Sequence, residues 1–308
     1  MTALSAPAPA PAPAATARPH LTRWVLRLHR PALYVWTALV LLSTVLLLLL
    51  HGPFADAAAE GWRRFDSCGF NTVCRYDQSA ILRYKDWYNY ATLAVAAVPF
   101  LTAAWAGGAL FGKELESGTA QLSWAQSSTP VRWLSVRLAT AAVLVTAGTG
   151  LLAWLHHLAW AAGRGRIDSA KDWYDMGTFL TGGPTLGALS LAGLAAGALA
   201  GLLWRRTLPA LAFGTLLTGV IGGTAQLLLP HLWPTLGRSG HGYPTSPAGS
   251  WTVSQGGNTA LYHVTYHPYS HYWPLQLTAT ALLLTVTAVL TLACFVVLRR
   301  LTGRAAAR

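Results

Sequence analysis

The sequence predicts an all-α, polytopic membrane protein with six transmembrane helices, and three observations carry that reading. Of the 308 residues, 53% are hydrophobic and only 10% are charged, well short of the roughly 25% charged residues of soluble globular domains. Six apolar stretches, near 31–50, 89–111, 138–160, 183–203, 207–229 and 274–298, each supply the ~20 residues that a helix needs to cross hydrocarbon. The net charge of +12 flanks these stretches instead of gathering into one basic patch, so it speaks for membrane topology and against a nucleic-acid partner.

The same charges set an orientation, because Lys and Arg are retained on the cytoplasmic side during insertion. With both termini inside, the cytoplasmic segments hold thirteen basic residues (Arg18, Arg23, Arg27, Arg30, Lys113, Arg132, Arg137, Arg205, Arg206, Arg299, Arg300, Arg304 and Arg308) against the acidic Glu114 and Glu116. The outer segments keep nine basic and eight acidic residues, so the balance is +11 inside against +1 outside.

Taken in order, residues 1–19 form an Ala/Pro-rich tail that lacks a packable apolar face and is expected to be disordered, leaving 20–308 as one membrane domain. The first apolar stretch is longer than the ~7–15 residues of a signal-peptide core. Over 20–30, Arg23, Arg27 and Arg30 share one helical face and Leu21, Trp24, Val25 and Leu28 the other. That spacing predicts an amphipathic helix lying on the membrane surface. Such a helix would receive force from a cytoplasmic partner or serve as a topogenic anchor. The first outer loop, 51–88, carries Cys68 and Cys74, a pair suited to a disulfide in an oxidising compartment, with two free thiols as the alternative.

After the second span comes a polar run, Gly112 to Thr119, continuing through Ala120, Gln121, Leu122, Ser123 and Trp124; Thr129 and Pro130 then signal a helix start leading into the third span. The expected result is a compact cytoplasmic elbow, an ordinary loop unless a partner docks there. The fourth span places Gly193, Gly197 and Gly201 at four-residue spacing, and the fifth adds Gly214, Gly219, Gly222 and Gly223, a pattern for close helix packing rather than substrate binding. Only Trp204, Arg205 and Arg206 separate these two spans, which reads as a tight hairpin. The last outer segment, 230–273, is rich in Gly, Pro and aromatic residues and could fold back as short re-entrant pieces, but its sequence does not define its shape.

Little here points to chemistry. The sole Gly-Lys pair, Gly112 and Lys113, is followed by Glu114, so no phosphate loop is present, and neither GxSxG nor HExxH occurs. No span carries an ionisable group in its middle, which argues against proton relays and ion-coupled carriers. His263, His267 and His271 would align on a helix to bind a metal, but Pro268 interrupts the run and the surrounding Tyr and Trp residues suit an interfacial belt. No metal site is expected.

The run Lys113-Glu114-Leu115-Glu116-Ser117-Gly118-Thr119 with Leu122, Trp124 and Gln126, then Arg132-Trp133-Leu134, resembles the permease subunits of bacterial ATP-binding-cassette exporters of the type 2 class, actinobacterial members among them. Tyr266-His267-Pro268, Tyr272-Trp273 and Gln276 resemble a second pattern before the last span of that group; His271 replaces an expected basic residue, and the acidic residue often near the start of that span is missing. The resemblance implies a subunit of the bacterial plasma membrane with no cofactor of its own. It would pair with a second permease copy or paralogue, sit among membrane lipids and couple to a cytoplasmic ATPase subunit holding ATP and Mg. Glu114, Glu116, Gly118 and Thr119 would belong to the element that touches the ATPase, with Arg23 and Arg27 on a second lever. A membrane-anchored partner-binding or regulatory protein that transports nothing, and a membrane enzyme using the outer histidines, are the competing readings.

Overall fold

A computed structural model describes residues 26–68, 77–126, 129–167, 170–242, 245–258 and 261–306. The tail, Arg23 and the greater part of the expected surface helix lie outside these residues, as do Cys74 and hence the expected bridge.

Six helices long and apolar enough to span a membrane are present, Arg30–Asp66, Ser79–Glu116, Pro130–Gly163, Thr185–Trp204, Thr207–His231 and Tyr269–Gly303, one for each apolar stretch. Four of them, of 34 to 38 residues, run far beyond the ~20 residues that the hydrocarbon needs. The first begins as α1 (Arg30–Leu49), with Pro31 in its first turn where no backbone donor is needed, and passes through a π-helical turn, Leu50–Phe54, into α2 (Ala55–Asp66). Residues 55–66 were expected as loop. They are helical because Ala55, Ala58 and Ala59 form a small buried stripe, while Glu60 is held between Arg63 and Arg64 on the exposed side. The second span starts as α3 (Ser79–Ala96), ten residues before its apolar stretch, continues as α4 (Val98–Trp105) and ends in a second π-helical segment, Ala106–Gly112. Much of the first outer loop is therefore helix.

The third span is α7 (Pro130–Gly163), following the short α5 (Lys113–Glu116) and α6 (Thr119–Gln126); Thr129 caps it by accepting the Arg132 amide at 3.3 Å, as its sequence predicts. After α8 (Met176–Thr181) comes the fourth span, α9 (Thr185–Trp204), the axis of the bundle: 78% of its most apolar window is buried, against 11% for the fifth span and 17% for the first and sixth. Its glycines explain how. A Cβ on Gly193 would lie 2.6 Å from the Pro99 carbonyl oxygen, and one on Gly197 would collide with the Ala103 carbonyl oxygen, so the second and fourth spans meet backbone to backbone. The fifth span, α10 (Thr207–Leu228), joins the fourth through Arg205, whose φ of 51° makes the reversal in two residues.

The segment 230–273, whose shape its sequence left open, is well defined. It is a three-stranded antiparallel sheet in the order β1-β3-β2, where β1 is Leu236–Gly240, β2 Trp251–Gly257 and β3 Tyr262–His267. Leu236 faces Tyr266 across one ladder and Trp251 faces His267 across the other. A protein outside the bilayer on this side can satisfy strand edges with water, so the re-entrant form is not required. The chain is thus predominantly, not wholly, helical. Its long last helix, α11 (Tyr272–Ala306), returns to the end of the bundle where α1 begins. That end bears α5 and α6 and is called here the elbow end; the opposite end bears the sheet.

Candidate functional site

At the elbow end the π-helical Ala106–Gly112 leads without interruption into α5, which stops at Ser117 because Gly118 takes a φ of +75° that side-chain-bearing residues rarely adopt. The chain turns there and α6 sets off. Thr119 Oγ1 and Ser117 Oγ both donate to the Glu114 carbonyl oxygen, at 3.2 and 3.4 Å, and so close the exposed end of α5. Leu115 and Ala120 anchor the turn in a cluster with Phe111, Trp133, Leu134, Leu202 and Leu298. Trp133 stands edge-on to both Phe111 and Trp124, at 5.7 and 5.5 Å between ring centres.

The two glutamates of the run part company. Glu116 is exposed and staples the elbow to the fifth span, accepting from the Thr207 backbone amide at 2.9 Å and its hydroxyl at 2.5 Å. Glu114 points inward and is buried. Its Oε1 lies 2.5 Å from Nη1 of Arg137, which is itself 1% exposed, also reaches the Leu110 carbonyl oxygen at 3.4 Å, and stacks its guanidinium 4.7 Å from the centre of the Trp133 ring. His29 completes the group, with Nε2 4.0 Å from the same Glu114 oxygen. Burial, followed by the positive charges of Arg137 and Lys113, pushes the His29 imidazole down to about 4, so it is neutral at physiological pH and Arg137 alone balances Glu114.

Of the residues marked from sequence, Glu114, Glu116, Gly118 and Thr119 are thus brought together in one turn. Arg27 is exposed and stands two residues before His29; Arg23 is outside the described residues. Sequence reasoning overlooked His29 and treated Arg137 as a topogenic charge. One signal was available for Arg137: Thr129-Pro130 starts a helix, and an arginine two turns inside it, followed by apolar residues on both sides, needs a counter-ion. What faces solvent on α6 is a mixed surface of Thr119, Gln121, Ala125 and Leu122, the last 62% exposed.

The second motif organises the sheet end. Gln276 is fully buried, donating to the Phe179 carbonyl oxygen at 2.6 Å and accepting from Thr185 Oγ1 at 2.7 Å, while Tyr272 donates to the Gly182 carbonyl oxygen at 2.7 Å. Together they tie the last span to α8 and the start of α9. His263 and His267 stand on a strand, not on a helix. His267 bridges His271, 3.0 Å between their Nδ1 atoms, and the Pro230 carbonyl oxygen at 3.0 Å; no group of three or more potential metal ligands occurs among the described residues.

Comparison with known protein families matches residues 22–231, about two thirds of the chain, to the family described as ABC-2 membrane transporter related. The match takes in the elbow and the first five spans and stops before the sheet and the last span, so the second motif lies beyond it. Neither a curated protein nor a solved structure matches the chain. With the elbow and five of six spans inside the match, the chain belongs to the ABC-2 membrane transporter related family and is a multi-pass membrane subunit of that transporter class.

Proposed function

We propose that this chain is the transmembrane half of an ATP-driven exporter, with the elbow end in the cytoplasm, and that it receives at α6 the movement of a separate ATP-binding-cassette ATPase subunit. The observation that carries the proposal is the construction of the elbow. The exposed α6, bearing Leu122, follows α5 across the turn at Gly118, and α5 continues the second span and is fastened to the third by a buried ion pair and to the fifth by Glu116, so a push on α6 is passed through that turn to three spans. Arg27, Lys113, Arg132, Arg205, Arg206, Arg299 and Arg300 all lie near this end, the pattern of a cytoplasmic face. Glu114 then acts as a positioning residue, while Thr119, Leu122 and, on the second lever, Arg23 and Arg27 meet the partner.

The remainder of the reading rests on the family and on sequence. ATP and Mg belong to the ATPase, a second permease copy or paralogue completes the pathway, and the site is the bacterial plasma membrane. Residues 20–308 form one permease unit behind a disordered tail of 1–19, and Cys68 pairs with Cys74, which non-reducing mass spectrometry checks.

A mild-detergent pull-down of tagged protein from native membranes tests the central claim. Wild type should bring down a phosphate-loop ATPase with vanadate-sensitive activity. Leu122→Asp should lose it while the protein remains folded; Glu114→Ala with Glu116→Ala should keep the protein in the membrane but abolish transport in vesicles. Unchanged capture by Leu122→Asp, or unchanged transport by the double variant, refutes the coupling role.

A further inference from the structure

Beside the elbow, two adjoining clefts run along the second span. The inner one, about 390 Å³, is a trough between the first three spans lined by Trp36, Leu39, Leu101, Val145 and their apolar neighbours. The outer one, about 420 Å³, shares Pro31, Ala32 and Trp105 with it and opens at Lys113, Glu114, Ser117 and Thr119. Both volumes fall in the range of about 300–1,000 Å³ typical of small-molecule sites. The sequence of surfaces, apolar then polar then charged, is that of an amphiphile.

Charge and hydrogen bonding narrow the occupant. In the mouth, Glu114 is neutralised by Arg137, whereas Lys113 is exposed and makes no ion pair among the described residues, so the mouth carries one net positive charge. Trp105, which lines both clefts, and His29, which lines the one that opens at Lys113, stand with their rings edge-on at 5.9 Å, and Trp105 Nε1 and His29 Nε2 are buried without a hydrogen-bond partner among the described residues; His29 is 9% exposed. An indole N–H only donates, so the junction asks for an acceptor that has apolar matter on one side and an anion on the other. The ester carbonyls of a glycerophospholipid have that position, between acyl chains and phosphate.

We infer that the trough and its mouth form a binding site for an anionic bilayer phospholipid, acyl chain along Trp36 and Leu101, ester carbonyl at Trp105 and His29, and headgroup at Lys113. The site is independent of the ATPase reading, since it needs only the chain and a bilayer.

The test uses the full chain in nanodiscs of equimolar phosphatidylglycerol and phosphatidylcholine, extracted gently, with retained lipid identified by native mass spectrometry. Wild type should keep phosphatidylglycerol over phosphatidylcholine by about fivefold, the preference conferred by one lysine near a membrane surface. Lys113→Gln should bring the ratio to about one while lipid is still retained, and Ala32→Trp, which fills the passage between the clefts, should release both. Retention without headgroup preference, or a preference that survives Lys113→Gln, overturns the proposal. So does the absence of retained lipid from wild type, which would assign the groove to a covering piece of protein. Should Ala32→Trp fail to fold, the wild-type and Lys113→Gln ratios still decide.

Discussion

Replacing Arg137 by Met would leave the Glu114 carboxylate buried with only a neutral imidazole 4.0 Å away, and would remove the guanidinium that stacks on Trp133 and bonds the Leu110 carbonyl oxygen. Breaking one side of a buried ion pair costs about 3–5 kcal/mol, because the remaining charge keeps its desolvation penalty without its partner. For a chain of this size that loss corresponds to a fall in melting temperature on the order of 10 °C. Replacing both residues, Glu114→Leu with Arg137→Met, removes the stranded charge as well, and a well-packed apolar pair is commonly neutral or stabilising. The double variant should therefore recover at least ~2 kcal/mol of what the single variant loses. Thermal stability followed by fluorescence-detected size-exclusion chromatography in mild detergent reads all four corners of the cycle. A loss below about 1 kcal/mol for Arg137→Met, or a double variant as unstable as the sum of the two singles, would show that the pair does not hold the elbow.

Acidification should destabilise the protein as pH falls from about 6.5 towards 4, since the unfolded chain takes up a proton at His29 before the folded one does; His29→Gln should melt with a flatter pH profile over that window, and an unchanged profile counts against it. Gly197→Val should abolish the monodisperse peak in size-exclusion chromatography, because its Cβ collides with the Ala103 carbonyl oxygen, whereas Gly223→Ala faces open space and should stay within about ±0.5 kcal/mol of wild type. Gln276→Leu strands the Phe179 carbonyl oxygen and leaves the Thr185 hydroxyl only its 3.4 Å contact with the Leu180 carbonyl oxygen, and should cost about 1–3 kcal/mol in the same melting assay; a loss under half of that would assign the Phe179 carbonyl another partner.

The spans were readable because their signal is summed over some twenty residues, and a misplaced residue or two does not alter it. Their ends were not. The stretch from Ala55 to Asp66 carries Asp56, Glu60, Arg63, Arg64 and Asp66, a charge density that suggests a loop, yet Ala55, Ala58 and Ala59 suffice to seat it as a helix against the third span and its neighbours. The sheet was hidden for another reason. Leu236–Gly240 has two glycines and no alternation, so only its partner reveals it, although Tyr262-His263-Val264-Thr265-Tyr266 has the aromatic and β-branched content of a strand. At the elbow, a resemblance singled out the turn that holds Glu114 and Glu116, but Glu114 and Arg137 are 23 residues apart on different helices, and no spacing rule connects them. The inward and outward fates of Glu114 and Glu116 likewise depend on which helices surround α5.

The staple between Glu116 and Thr207 sits at the very base of the fifth span, with only Arg205 and Arg206 between that base and the fourth. There is no slack in which a displacement could be absorbed. Twenty-five helical residues, Thr207 to His231, make a rod of about 37 Å. Tilting such a rod by about 5° about its stapled foot sweeps its far tip through roughly 3 Å, the width of a water molecule, at the level where Pro230 meets His267. A movement too small to break a single hydrogen bond at one face of the membrane is thereby large enough to part or join surfaces at the other.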